Sequence, residues 1–133
     1  MTTENVSGHP LTDEWISELL VTAFEGGALA EWVQDTRLIA EPLRNRRENP
    51  DARFDPDGEF DNYFPYVVGY GGVVGFTTIE GDLRSLTRSC VVKGLEEYVR
   101  WFGKCTHCIL EDHDERDANC IVQLGVLGDV VYD

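Results

Sequence analysis

Two groups of residues in this chain are chemically equipped to do something: carboxylates in dense runs, and a cysteine–histidine cluster. Glu48, Asp51, Asp55, Asp57, Glu59 and Asp61 form one acidic run, with Arg53 alone against them. Glu111, Asp112, Asp114, Glu115 and Asp117 form a second, with Arg116 alone. Carboxylates at this density repel nucleic acid and anionic membrane, and they attract basic surfaces such as the nucleic-acid-binding faces of other proteins. The cluster is Cys105-Thr106-His107-Cys108, followed by His113 and Cys120. A Cys-x-x-Cys pair holds two thiolates at tetrahedral spacing, and His113 with Cys120 would complete a zinc site. The spacing matches no common zinc module and Cys120 falls on a predicted helix. The expectation is therefore four reduced thiols and no cofactor, with zinc at Cys105, Cys108, His113 and Cys120 as the weak candidate. A redox role for the pair needs a helix N-terminus, whereas the motif reads as following a helix end.

Other chemistries find little support. Asp55-x-Asp57-Gly58-x-x-Asp61 lacks the spacing and terminal glutamate of an EF-hand. Gly69, Gly71, Gly72 and Gly75 fall short of a phosphate-binding loop, because Val74 stands where the last glycine belongs and no helix follows. With only three histidines, no Ser or Cys has an evident His–Asp relay. Glu25, just before Gly26-Gly27, suits backbone bonding in that turn, or a small pocket with Trp32 as one wall. No catalytic residue emerges, and the expectation is a protein that is not an enzyme.

The charge behind the acidic runs is large: 25 Asp and Glu against 11 Lys and Arg, a formal net of −14 on 133 residues. Lysine occurs only at Lys93 and Lys104, so the acidity also fits a salt-adapted proteome. An apolar fraction of 42% nevertheless argues for a folded chain with one core. Met1 to Pro10 lacks the basic and apolar regions of a signal peptide, and the apolar stretch Val67–Phe76 is too short to span a bilayer. These features predict an intracellular protein.

The elements that must position these residues follow from periodicity. Thr12 caps a helix whose apolar face is Trp15, Ile16, Leu19, Leu20, Ala23 and Phe24. Gly26-Gly27 interrupts it, and Ala28, Leu29, Trp32 and Val33 suggest a further helical turn. Residues 1–11 read as a flexible N-terminus and 41–61 as a long acidic surface loop. Tyr63–Tyr70 and Val73–Ile79 read as strands joined at Gly71-Gly72 in a hairpin. Thr87 caps a helix carrying Val91, Val92, Leu95, Tyr98, Val99 and Phe102, and Gly103 stops it. Asp117 caps a last helix with Ile121, Leu124 and Leu127, stopped by Gly128, and Val130–Tyr132 suggests a final strand. The whole is a single α+β domain with helices on a small antiparallel sheet.

Three of these segments resemble a family. Val21-Thr22-Ala23-Phe24-Glu25-Gly26-Gly27, with Trp32 after it, resembles the "TALEGG…W" signature of small uncharacterised phage proteins common in phages of actinobacteria. The stretch from Asp117 through Gln123 to Gly128-Asp129-Val130-Val131-Tyr132 is similar to that family's C-terminal signature, and Leu86-Thr87 through Gly94-Leu95 to its middle helix. Ala28-Leu29-Ala30-Glu31 and Asp133 depart from the pattern. The resemblance implies a phage or prophage accessory protein acting in the cytoplasm of a host bacterium. Combined with the charge, it implies an inhibitor of a host protein with a basic, nucleic-acid-binding face, of the DNA-mimic or anti-CRISPR type, with no direct nucleic-acid or membrane contact. The alternatives are a structural or regulatory phage protein, dimeric through the Tyr63–Phe76 hairpin, or a small-ligand-binding protein with its pocket at Glu25 and Trp32.

Overall fold

The computed structural model describes residues 4–6, 8–25, 29–40 and 60–132; of these, the side chains of 4, 5, 25, 30 and 60–64 are outside the description. The described residues form an α+β domain with five helices, a three-stranded antiparallel sheet and a two-stranded ribbon. The acidic segment 41–59 falls outside them.

The ribbon comes first. β1 (Glu4–Val6) pairs antiparallel with β2 (His9–Leu11), and Val6 and Leu11 are buried in the core. The N-terminal residues expected to be flexible are thus tied down by two apolar anchors. Helix α1 (Asp13–Glu25) starts where expected: the Trp15 amide donates to the Thr12 hydroxyl oxygen at 3.0 Å, and Asp13 and Glu14 occupy the first turn. Of its predicted face, Ile16, Leu19, Leu20 and Ala23 are fully buried, and Trp15 and Phe24 are half-buried.

A short 3-10 turn (Leu29–Glu31) leads into strand β3 (Val33–Ala40), which the sequence pattern did not reveal. Its alternation is broken by a bulge between Gln34 and Arg37, where Asp35 takes a positive φ of 52°. Helix α2 (Phe60–Gly69) replaces the expected first strand of a hairpin. A short apolar run fits a buried helix as well as a strand, and here packing against α1 decides. Gly69 lies so close that an added Cβ would sit 2.7 Å from the Asp13 carbonyl oxygen. Gly71-Gly72 ends this helix instead of turning a hairpin: the Gly72 amide donates to the Val67 carbonyl at 2.7 Å.

The true hairpin comes later. β4 (Val73–Thr78) pairs with β5 (Leu83–Leu86) across the turn at Glu80, Gly81 and Asp82, and β3 pairs on β4's other side, giving the order β3-β4-β5. Val67, Val68, Val74 and Phe76 are buried in this core, so the apolar segment expected to carry a dimer interface is occupied within the chain.

Helix α3 (Arg88–Phe102) has the predicted ends: Thr87 accepts from the Cys90 amide, and Gly103 takes a left-handed φ of 64°. A short helix α4 (Thr106–Glu111) occupies what reads as a connection. Helix α5 (Glu115–Leu127) begins three residues before the expected cap. Asp114 is the cap and Asp117 its reciprocal partner, each accepting the other's backbone amide in a capping box. The residues after Gly128 are not a strand. They are an extended strap held by fully buried Gln123, whose Oε1 accepts the amides of Val131 and Tyr132 at 2.8 and 2.7 Å and whose Nε2 donates to the Tyr132 carbonyl.

Candidate functional site

The strongest feature for binding is a corner where α1, α2 and the α4–α5 junction meet. Trp15 fixes it. Its indole N–H donates to the Leu110 carbonyl at 3.0 Å, and its ring meets the edge of His113 at 5.6 Å between centroids. His113 Nδ1 lies 3.2 Å from the Ile109 carbonyl oxygen, and Ile109 is buried beneath. These contacts close α4 against α1 and leave the acidic residues of the junction at the surface. The result is an open cleft of about 350 Å³ lined by Glu18, Val21, Thr22, Tyr66, Glu111, Asp112 and His113.

Three carboxylates therefore face one concavity, and none of its described lining residues is a lysine or arginine. Asp114 and Glu115 are exposed just beyond it. His107 lies one turn back on the exposed side of α4, its Nε2 3.2 Å from Glu111 Oε1. An exposed pair of this kind contributes less than about 1 kcal/mol and leaves the carboxylate available.

Asp117 belongs to the interior face of the same segment. Burial alone would raise its pKa, but hydrogen bonds from the Tyr98 hydroxyl and from Asp114 outweigh it and hold the carboxyl below the ordinary range. Burial, then Asp117, push the Tyr98 hydroxyl far above its usual value, so it stays a donor. Asp117 is thus committed to structure, unlike Glu111 and Asp112.

Of the acidic residues expected to interact, the structure brings Glu111 and Asp112 together in the cleft and leaves Asp114 and Glu115 beside it. Glu48, Asp51, Asp55, Asp57 and Glu59 lie outside the described residues. So does the side chain of Asp61, whose backbone is in the first turn of α2. Glu18 and Tyr66 were not anticipated. The available signal was Glu18, on the polar side of α1 one turn after Glu14.

Trp32, expected as one wall of a small pocket, lies in the core. Trp32 is fully buried, its ring stacked on Tyr132 at 5.4 Å and edge-on to Phe76, and its indole N–H donates to Asn119 Oδ1 at 2.9 Å. It offers no face to a ligand. The side chain of Glu25 is outside the description.

The zinc candidates are not assembled. Cys120 is buried in the core, His113 is spent on Trp15 and Ile109, and Cys105 and Cys108 are exposed. Among the described residues no three His, Cys, Asp or Glu side chains are grouped to hold a metal ion. The Cys-x-x-Cys motif differs from expectation in another respect: Cys105 is the N-cap of α4, not a residue trailing α3.

A second open groove, of about 470 Å³, runs along the sheet edge strands, lined by Arg37, Ile39, Leu83, Arg84, Ser85 and Val126. Its charge is opposite to that of the first. No helix among the described residues is long and apolar enough to cross a membrane.

No family model, curated protein or solved structure matches the chain.

Proposed function

We propose that this protein is a binding protein that presents carboxylates to the basic, nucleic-acid-binding face of another protein, and so competes with DNA or RNA for it. The observation that carries this reading is the convergence of Glu18, Glu111 and Asp112 on one cleft, with Asp114 and Glu115 beside it. Oxygen anions on an open surface gain from the same Lys and Arg clusters that bind phosphates. Trp15, Leu110 and His113 are already held by their mutual contacts, so little side-chain freedom is lost at the base of the cleft when a partner docks. The resemblance to small phage proteins supports a phage accessory protein acting on a host defence complex in the bacterial cytoplasm.

The test compares wild type with a Glu18→Gln, Glu111→Gln, Asp112→Asn variant in capture from nuclease-treated bacterial lysate. The expected result is a nucleic-acid-binding protein recovered by wild type only, released by added duplex DNA and by salt. Equal recovery by both proteins, indifferent to DNA, would make the acidity a solubilising property and refute the reading.

A further inference from the structure

Cys105 and Cys108 stand apart from the other cysteines. Cys120 is buried in the core, and Cys90 is half-buried and hydrogen-bonded to Thr87 and Ser85. Cys105 and Cys108 are both exposed and lie three residues apart at the start of α4, a spacing that places two side chains on one face. The Cys105 sulfur accepts the Cys108 amide at 3.3 Å. The two thiols are therefore neighbours, both accessible, and unequal, since Cys105 receives the amide hydrogen bond.

We propose that Cys105 and Cys108 are a reactive dithiol that exchanges with small disulfides, Cys105 attacking and Cys108 resolving. The hydrogen bonds order the pair. Donation from the Cys108 thiol, then from its amide, lowers the Cys105 pKa, and the same thiol bond raises that of Cys108. The more acidic, accessible sulfur is the one that attacks.

The co-reactant is a low-molecular-weight dialkyl disulfide. The Cys105 thiolate attacks one of its sulfurs, the disulfide bond breaks, and the departing thiolate takes up a proton. Cys108 then gives its proton to solvent and attacks the Cys105 sulfur of the mixed disulfide, expelling the second thiol. The protein dithiol is oxidised by two electrons to a Cys105–Cys108 disulfide, and the small disulfide is reduced to two thiols.

The experiment treats the reduced protein with glutathione disulfide, quenches it with acid, and reads intact mass and the tryptic peptide 105–116. That peptide contains both cysteines and neither Cys90 nor Cys120. Wild type is expected to lose two hydrogens within it. The Cys108→Ser variant is expected to accumulate one glutathione on Cys105, and Cys105→Ser to react about tenfold more slowly than Cys108→Ser. Serine still caps a helix, so Cys105→Ser retains the start of α4. Wild type that keeps free thiols, or stops at a mixed disulfide, overturns the proposal. Cys105→Ser reacting as fast as Cys108→Ser overturns the assignment of roles. The outcome is independent of what the acidic cleft binds.

Discussion

Replacing Gly125 with alanine should be costly, because among the described glycines its added Cβ would make the closest clash. Gly125 on α5 faces Cys90 on α3, and a Cβ there would lie 1.8 Å from the Cys90 carbonyl oxygen. Gly94 on α3 returns the contact: its Cβ would lie 1.9 Å from the Ile121 carbonyl oxygen. The two helices cross backbone to backbone at reciprocal glycines. Ordinary contact begins at 3.4 Å, so either substitution forces the helices apart by more than an ångström. Neither obstructing atom is a side-chain tip that could swing away. Parting them unpacks Val91, Leu95, Ile121 and Leu124, all fully buried. Overpacking costs about 1–3 kcal/mol and sometimes more, and a rigid backbone clash belongs at the top of that range. The better helix propensity of alanine returns about 1 kcal/mol. The net loss is about 2–3 kcal/mol, a fall in Tm of roughly 8–12 °C for a domain of this size. Calorimetry or urea unfolding reads it directly. Gly128→Ala serves as the control, since its Cβ meets open space and only its φ of 80° resists; it should cost about 1 kcal/mol. A Gly125→Ala protein as stable as wild type, or more stable as helix propensity alone would make it, would refute the close crossing.

Gln123→Leu should free the C-terminal strap. The buried amide side chain satisfies both the Val131 and Tyr132 amides, and their loss costs about 2–3 kcal/mol; hydrogen exchange at those two amides should accelerate, and unchanged protection would sink the clamp. Asp117→Asn should weaken the fold by about 1 kcal/mol at neutral pH through the damaged capping box. The folded pKa of Asp117 lies below its unfolded value. The carboxylate's contribution is therefore complete above pH about 4 and is lost as pH falls through the folded pKa. Urea midpoints of wild type and variant should converge in acid; a gap that stays constant with pH would show that ionisation of Asp117 is immaterial.

The parts legible in the sequence were those governed by local chemistry. Thr12, Thr87, Gly103 and Gly128 bound their helices as their side chains or lack of them require. The parts misread were decided at a distance. Val67 and Val68 favour strand locally, but Gly69 lets that segment lie on Ser17 and Asp13 of α1, and the helix wins. β3 hides behind the bulge at Asp35, which breaks the alternation that marks a strand. Val6 and Leu11 carry too little local pattern to announce a ribbon, yet both reach the core. In the candidate site, Glu111 and Asp112 were visible as charge. Glu18 and Tyr66 join them only because Trp15 draws the end of α4 onto α1.

The net charge of −14 exaggerates the acidity open to a partner, because the described carboxylates divide by what already holds them. Asp13 pairs with Arg88, a half-buried bridge that also reaches the Gly69 carbonyl and ties together α1, α2 and α3. Asp117 serves Tyr98 and the start of α5, and Asp114 caps that helix. Removing such groups damages folding before it tests binding. Glu18, Glu111 and Asp112 are different. They line the cleft, Glu111 meets an exposed histidine, and Asp112 ends α4 through its backbone amide, so all three carboxylates can be neutralised without removing a capping side chain or a buried pair. A loss of binding in Glu18→Gln, Glu111→Gln, Asp112→Asn with unfolding midpoints unchanged would therefore report the surface itself, whereas the same loss after Asp13→Asn would report the collapse of the Arg88 junction.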